Sequence, residues 1–128
     1  MAKILVVDDE PTIVAMMSFI LQKAGHTVSS AGNGVEAVAV LGIDPEDPAA
    51  PLPDLVVLDI MMPIMDGHTV AVMMKESAHA NKIPILIVTA KSDMAPAFEA
   101  IPSVAGFFVK PFDPKILRET VNKLVGQK

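Results

Sequence analysis

Short apolar runs alternate with longer amphipathic stretches along this chain. Leu55-Val56-Val57-Leu58 is apolar at every position, and Ile4-Leu5-Val6-Val7 is a run of the same kind. Runs this short, with no polar face, predict strands of a parallel sheet covered by helices on both sides. The stripe Ile13, Met17, Ile20 and Ala24, flanked by Val14 and Leu21, predicts a first helix that Pro11 opens and Gly25 closes. His26 to Ala31 reads as a shorter strand with Val28 inward. After an Asn33-Gly34 turn, Val35, Val38 and Leu41 mark a second helix. The Asp66-Gly67 turn leads into a third helix carrying Val70, Met73 and Met74. Ile83 to Val88 is a fourth strand, and 93–101 a weakly patterned helix with Pro96 early and Pro102 closing it. Phe107-Phe108-Val109 is a fifth strand. Asp113 caps the last helix, with Pro114 at its first position and Ile116, Leu117, Val121 and Leu124 on its buried stripe.

The resulting pattern is (βα)5. Strands alternating with helices at this spacing imply a parallel five-stranded sheet with right-handed crossovers, a doubly wound α/β fold of the flavodoxin-like kind. The expected strand order is 2-1-3-4-5, which sets the first and third strands side by side at the switch point. One stretch resists the pattern. Residues 42–53 hold Pro45, Pro48, Pro51 and Pro53, which exclude helix and central strand alike and leave a stiff surface loop.

Composition narrows the picture. The chain has 128 residues, 52 % hydrophobic and 20 % charged, enough for one compact domain over 1–128. It has no apolar run long enough to span a membrane and no signal-peptide layout. It has no cysteine, so disulfides and thiolate metal sites are excluded. A net charge of −5 with a single arginine argues against direct nucleic-acid binding.

Chemistry gathers where the strands stop. Four of the five end in a polar or reactive group: Asp8 and Asp9, Asp59, Thr89, and Lys110. In a parallel sheet these ends share one edge, so residues distant in sequence converge. Three close carboxylates repel, and a divalent cation relieves that repulsion. Oxygen-only ligands favour a hard ion, and a shallow open site suits Mg²⁺. Phosphoryl transfer asks little of a protein beyond in-line placement and neutralisation of the phosphoryl oxygens. Asp59 can be the nucleophile, with Mg²⁺, Lys110 and Thr89 holding those oxygens. Taken singly, each residue has a plainer reading: helix-end chemistry for Asp8 and Asp9, a turn or cap for Asp59, a strand-end residue for Thr89, a solvated charge for Lys110. Their joint placement favours the phosphoryl site. His26, His68 and His79 fall at no such strand end and read as surface residues. Most of the nine methionines read as core filler, though Met61, Met62 and Met65 flank the site loop.

These segments resemble the receiver domain of two-component response regulators, the CheY-like superfamily. The resemblance spans essentially the whole chain. It is carried by Ile4-Leu5-Val6-Val7-Asp8-Asp9-Glu10-Pro11, by Pro53-Asp54-Leu55-Val56-Val57-Leu58-Asp59-Ile60-Met61-Met62-Pro63 with Met65-Asp66-Gly67, by Ile87-Val88-Thr89-Ala90, and by Val109-Lys110-Pro111-Phe112. It implies that Asp59 accepts a phosphoryl group from a phosphohistidine on a sensor histidine kinase or a histidine phosphotransfer protein. It implies Asp9 as a direct Mg²⁺ ligand, Asp8 as a partner acting through water, and the Met61 carbonyl as a further ligand. Thr89 would bond the phosphoryl group, Lys110 would pair with it, and the Lys110-Pro111 bond is expected to be cis. Thr89 and Phe107 would form the switch that alters the face from the fourth strand to the last helix, where an unidentified target protein docks. The resemblance also implies a cytoplasmic setting, and Met61 and Lys91 as positions that tune hydrolysis.

The sequence departs from the family in its long proline-rich loop, in Pro96 and Pro102, and in the segment 101–106 that replaces a more regular helix end. Only Gly126-Gln127-Lys128 follows the last helix, so no output domain is expected within this chain. Two other classes are weighed. A phosphatase of the haloacid dehalogenase kind would put a nucleophile on the first strand with a second Asp two residues on, which adjacent Asp8-Asp9 does not match. A non-phosphorylated binding module would ordinarily lack one of the acids, the threonine or the lysine, and none is missing.

Overall fold

A computed structural model describes residues 2–90 and 101–126. The elements run β1 (Lys3–Val7), α1 (Pro11–Lys23), β2 (Thr27–Ala31), α2 (Gly34–Val40), β3 (Leu55–Leu58), α3 (Gly67–Glu76), β4 (Ile85–Thr89), β5 (Val104–Val109) and α4 (Pro114–Leu124). The helix expected over 93–101 lies, apart from Ile101, outside the described residues, as does Lys91. All neighbouring strands pair in parallel in the order β2-β1-β3-β4-β5, the expected topology.

The apolar strands alternate strictly between two core layers. Leu5, Val7, Val56, Leu58, Ile85 and Ile87 face α2 and α3, packing on Val38, Val70 and Met74. Ile4, Val6, Leu55, Val57, Leu86 and Val88 face the other way, onto Met17, Leu21, Leu117 and Val121 of α1 and α4. The period-2 geometry of a strand turns a continuous apolar run into two apolar faces. No helix among the described residues is long and apolar enough to cross a membrane.

Three expectations need correction. His26 is buried, not at the surface: its Nδ1 accepts from the Ala2 N–H at 3.2 Å, so Nε2 carries the proton and donates to Asn122 Oδ1 at 2.7 Å. β5 begins at Val104, so half of the segment read as an irregular helix end is strand; Ala105 is passed over in the register between Val104 and Gly106. Ile116 is exposed, because α4 buries Leu117 and Val121 and leaves Ile116 beside β5 in a shallow groove with Phe107 and Phe112. Residues 42–53 form turns and an isolated bridge between Ile43 and Glu46, largely exposed.

Candidate functional site

Register builds the site. Val7 of β1 pairs with Leu58 of β3, so the next residues, Asp8 and Asp59, leave the sheet side by side. The Asp59 N–H donates to the Val7 carbonyl at 2.9 Å and fixes that step. Across the other side, Thr89 pairs with Val109, and the Lys110 N–H donates to the Thr89 carbonyl at 2.7 Å. The Lys110-Pro111 peptide bond is cis. Strand ends far apart in sequence thus open onto one small pocket.

One carboxylate oxygen from each of Asp8, Asp9 and Asp59 lies within 4.8 Å of the others. Lys110 Nζ reaches into the same space, donating to Asp8 Oδ2 at 2.8 Å and standing 3.5 Å from Asp59 Oδ2 and 3.3 Å from Glu10 Oε1. Asp8 and Asp59 are buried, while Asp9 and Glu10 are exposed. The other oxygen of Asp8 accepts from the Glu10 N–H at 2.9 Å, so both sides of that carboxylate are engaged. Asp59 Oδ1 differs: it is buried and has no hydrogen-bond partner among the described residues.

The electrostatics follow from that crowding. Burial pushes the Asp59 carboxyl above its ordinary value, and the Asp8 carboxylate beside it pushes the same way. Lys110, the Thr89 side chain and the Ile60 backbone pull it down by less. For Lys110, burial works against the charge but is outweighed by the bond to Asp8 and the charges of Asp59 and Asp8, with Glu10 adding to them. The ammonium is held above its ordinary value.

Thr89 is fully buried at the end of β4, with Phe107 half-buried on the neighbouring β5, packed against the layer of α2 and α3. The Met61 side chain is 53 % exposed, turned out of the core. The loop after Asp59 is folded back tightly. Met65 N donates to the Pro63 carbonyl at 2.8 Å, and Ile64 between them has φ of 72°, uncommon for a β-branched residue. Gly67 then returns to the end of β3. Its N–H donates to the Ile60 carbonyl at 2.8 Å, and a Cβ there would strike the Asp59 carbonyl oxygen. The sequence offers Gly67 as a turn residue within the family-like Met65-Asp66-Gly67 segment, without its contact to Asp59, and gives Glu10 no role of its own. The contact of Gly67 with Asp59 is carried by chain folding, and no local pattern announces it.

The family model for the response regulator receiver domain matches residues 4–122. The chain belongs to that family. This receiver domain is 32 % identical over 127 residues to the protein PilH of Pseudomonas aeruginosa, covering 98 % of this chain and 99 % of PilH. It spans about half the length (48 %) of the transcriptional regulators among its curated relatives. Among solved structures it is similar to the chemotaxis response regulator CheY4 of Vibrio cholerae, with a TM-score of 0.83, 31 % identity and coverage of 97 % of this chain and 98 % of that one. It is also similar to the response regulator TrrA of Thermotoga maritima in complex with Mg²⁺ and BeF, with a TM-score of 0.80, 32 % identity and coverage of 97 % and 99 %. Receiver domains bind Mg²⁺ at an acidic pocket and work with histidine kinases and downstream effectors. The residues here fit such an ion: three carboxylates converge, every candidate donor is oxygen, and the buried Asp59 Oδ1 is unsatisfied.

Proposed function

We propose that this receiver domain is a phosphorylation-controlled switch, one domain over 1–128, with Asp59 as the phospho-acceptor. An Asp59 carboxylate oxygen attacks the phosphorus of a phosphohistidine on a sensor kinase or histidine phosphotransfer protein. The new O–P bond forms as the N–P bond breaks, and the imidazole leaves as the neutral ring after taking up a proton. Asp8, Asp9, Asp59 and the backbone carbonyl of Met61 would hold Mg²⁺, which supplies charge neutralisation for the phosphoryl oxygens. Lys110, already facing Asp59, turns its ammonium to one phosphoryl oxygen, and the Thr89 hydroxyl donates to another. Thr89 is then drawn toward the acceptor, Phe107 follows on β5, and the face running from β4 to α4 changes for a target protein. A cytoplasmic setting goes with this role.

The observation that carries the reading is the convergence of Lys110 with the Asp8, Asp9 and Asp59 carboxylates around a buried, unsatisfied oxygen of Asp59. The test is chemical. Incubation with Mg²⁺ and acetyl phosphate should add one phosphoryl group by intact mass, and Asp59→Asn should abolish it. Label surviving in the variant points to a different acceptor, and no label on the wild-type chain favours a binding module on the same fold. Lys110→Ala should still take label while its phosphorylation-dependent spectral change is blunted.

A further inference from the structure

Lys110 is shared out in an unequal way. Its ammonium meets Asp8 at 2.8 Å, Glu10 at 3.3 Å and Asp59 at 3.5 Å. Asp8 and Asp59 also belong to the trio whose oxygens lie within 4.8 Å of one another, and Glu10 does not. A divalent cation among those three carboxylates therefore competes with Lys110 for two of its three partners among the described residues, and repels it besides. Glu10 is the carboxylate left over. It stands at the rim with its side chain 58 % exposed, against none of that of Asp8, so it can take up the ammonium with little loss of hydration. Its position is anchored independently of Lys110, since its backbone N–H donates to Asp8 Oδ1 at 2.9 Å.

We propose that Glu10 is a positioning residue for Lys110, whose carboxylate holds the ammonium at the pocket mouth when a divalent cation claims Asp8. This rests on the acceptor reading above, in the part that gives the three acids a divalent cation. Without Glu10 the ammonium has two choices in the cation-bound pocket: to crowd the cation or to swing into solvent. Either way, cation binding carries an added cost that the wild-type chain avoids. The effect depends on Lys110 and on reach. A carboxylate one methylene shorter falls back from the ammonium while keeping the same charge in the same neighbourhood.

The experiment is a Mg²⁺ titration by calorimetry at low salt. It compares the wild-type chain, Glu10→Gln, Glu10→Asp, Lys110→Ala and the Glu10→Gln/Lys110→Ala double variant, each also melted without cation. Glu10→Gln should weaken Mg²⁺ about threefold, the scale of a partly exposed ion pair. It should weaken it clearly less when Lys110 is already Ala, with the melting midpoint unchanged by Glu10→Gln. Glu10→Asp should resemble Glu10→Gln. Equal losses in both backgrounds, or a Glu10→Asp variant indistinguishable from wild type, would mean that Glu10 acts only through its field, and would overturn the proposal. A wild-type chain that binds no Mg²⁺ ends both this proposal and the cation in the acceptor reading. Mg²⁺ binding without labelling by acetyl phosphate ends the acceptor reading while leaving the Glu10 comparison to stand or fall on its own numbers.

Discussion

A methyl group at Gly67 would overlap the Asp59 carbonyl oxygen and come within 2.9 Å of the Ile60 Cα, both of them backbone atoms that cannot swing aside. The α3 N-terminus therefore presses directly on the segment that carries Asp59. Gly67→Ala should cost about 1–3 kcal/mol in urea denaturation, the range for overpacking a filled site. It should also weaken Mg²⁺ binding and slow labelling at Asp59, because relief of the clash moves the Asp59 backbone. A variant with lowered stability but unaltered Mg²⁺ affinity would show that the segment yields elsewhere. His26 has a different kind of role at the opposite end of the sheet. Its ring links the start of β1 to Asn122 of α4 through two hydrogen bonds in a buried place. His26→Leu would leave the Ala2 N–H and the Asn122 side chain without it, at a cost of about 1–3 kcal/mol, while labelling of Asp59 proceeds at the wild-type rate.

Among the elements, α4 shows how local chemistry and packing divide the work. Asp113 Oδ1 accepts from the backbone N–H of Lys115 at 2.8 Å and of Ile116 at 3.4 Å, and Pro114 supplies a helix-ready φ at the next position. Leu117 and Val121 then bury against the layer below α1. Asp113→Ala should cost about 1 kcal/mol, read as a lower urea midpoint. The cap was legible in the sequence because Asp-Pro before an apolar stripe is a local signal. Buried strands were legible for a similar reason: a run such as Leu55–Leu58 has no polar residue to place anywhere but in a core. The start of β5 was not, because Ala105 and Gly106 have weak strand preference and follow Pro102-Ser103. A Cβ at Gly106 would come within 2.7 Å of Leu86 Cδ1, a side-chain end on the adjoining strand. The outward turn of Ile116 was hidden too, as helical spacing alone does not say where the stripe ends. The site follows the same division. Strand ends told which residues share an edge, while the pairing of Lys110 with Glu10 as well as Asp8 depends on loop paths that no periodicity encodes.

At the scale of the whole molecule, the pocket is an acidic concentration in an already acidic chain of net charge −5. Among the described residues, Asp8, Glu10 and Asp59 share the Lys110 ammonium, and Asp9 stands beside Asp8 and Asp59. Folding buries the Asp59 carboxyl beside Asp8 and raises its affinity for a proton above the ordinary value of 3.8 that it regains on unfolding. The native state therefore binds the proton more tightly than the unfolded chain does. The contribution to stability is complete below 3.8 and is lost as pH rises through the higher native value, so the ionised acid is a liability at neutral pH. Asp59→Asn removes that liability with little change of shape. In a chelator at neutral pH the variant should melt higher than the wild-type chain, and the gap should close as pH falls toward 3.8. Mg²⁺ should close it from the other direction, because a ligand that binds only the folded pocket stabilises by mass action and the wild-type carboxylate binds it better. Melting curves across pH, with and without Mg²⁺, check both. A gap independent of pH would mean that Asp59 stays ionised at no cost, with Lys110 neutralising it fully, and would take away one physical reason for the cation proposed at this carboxylate.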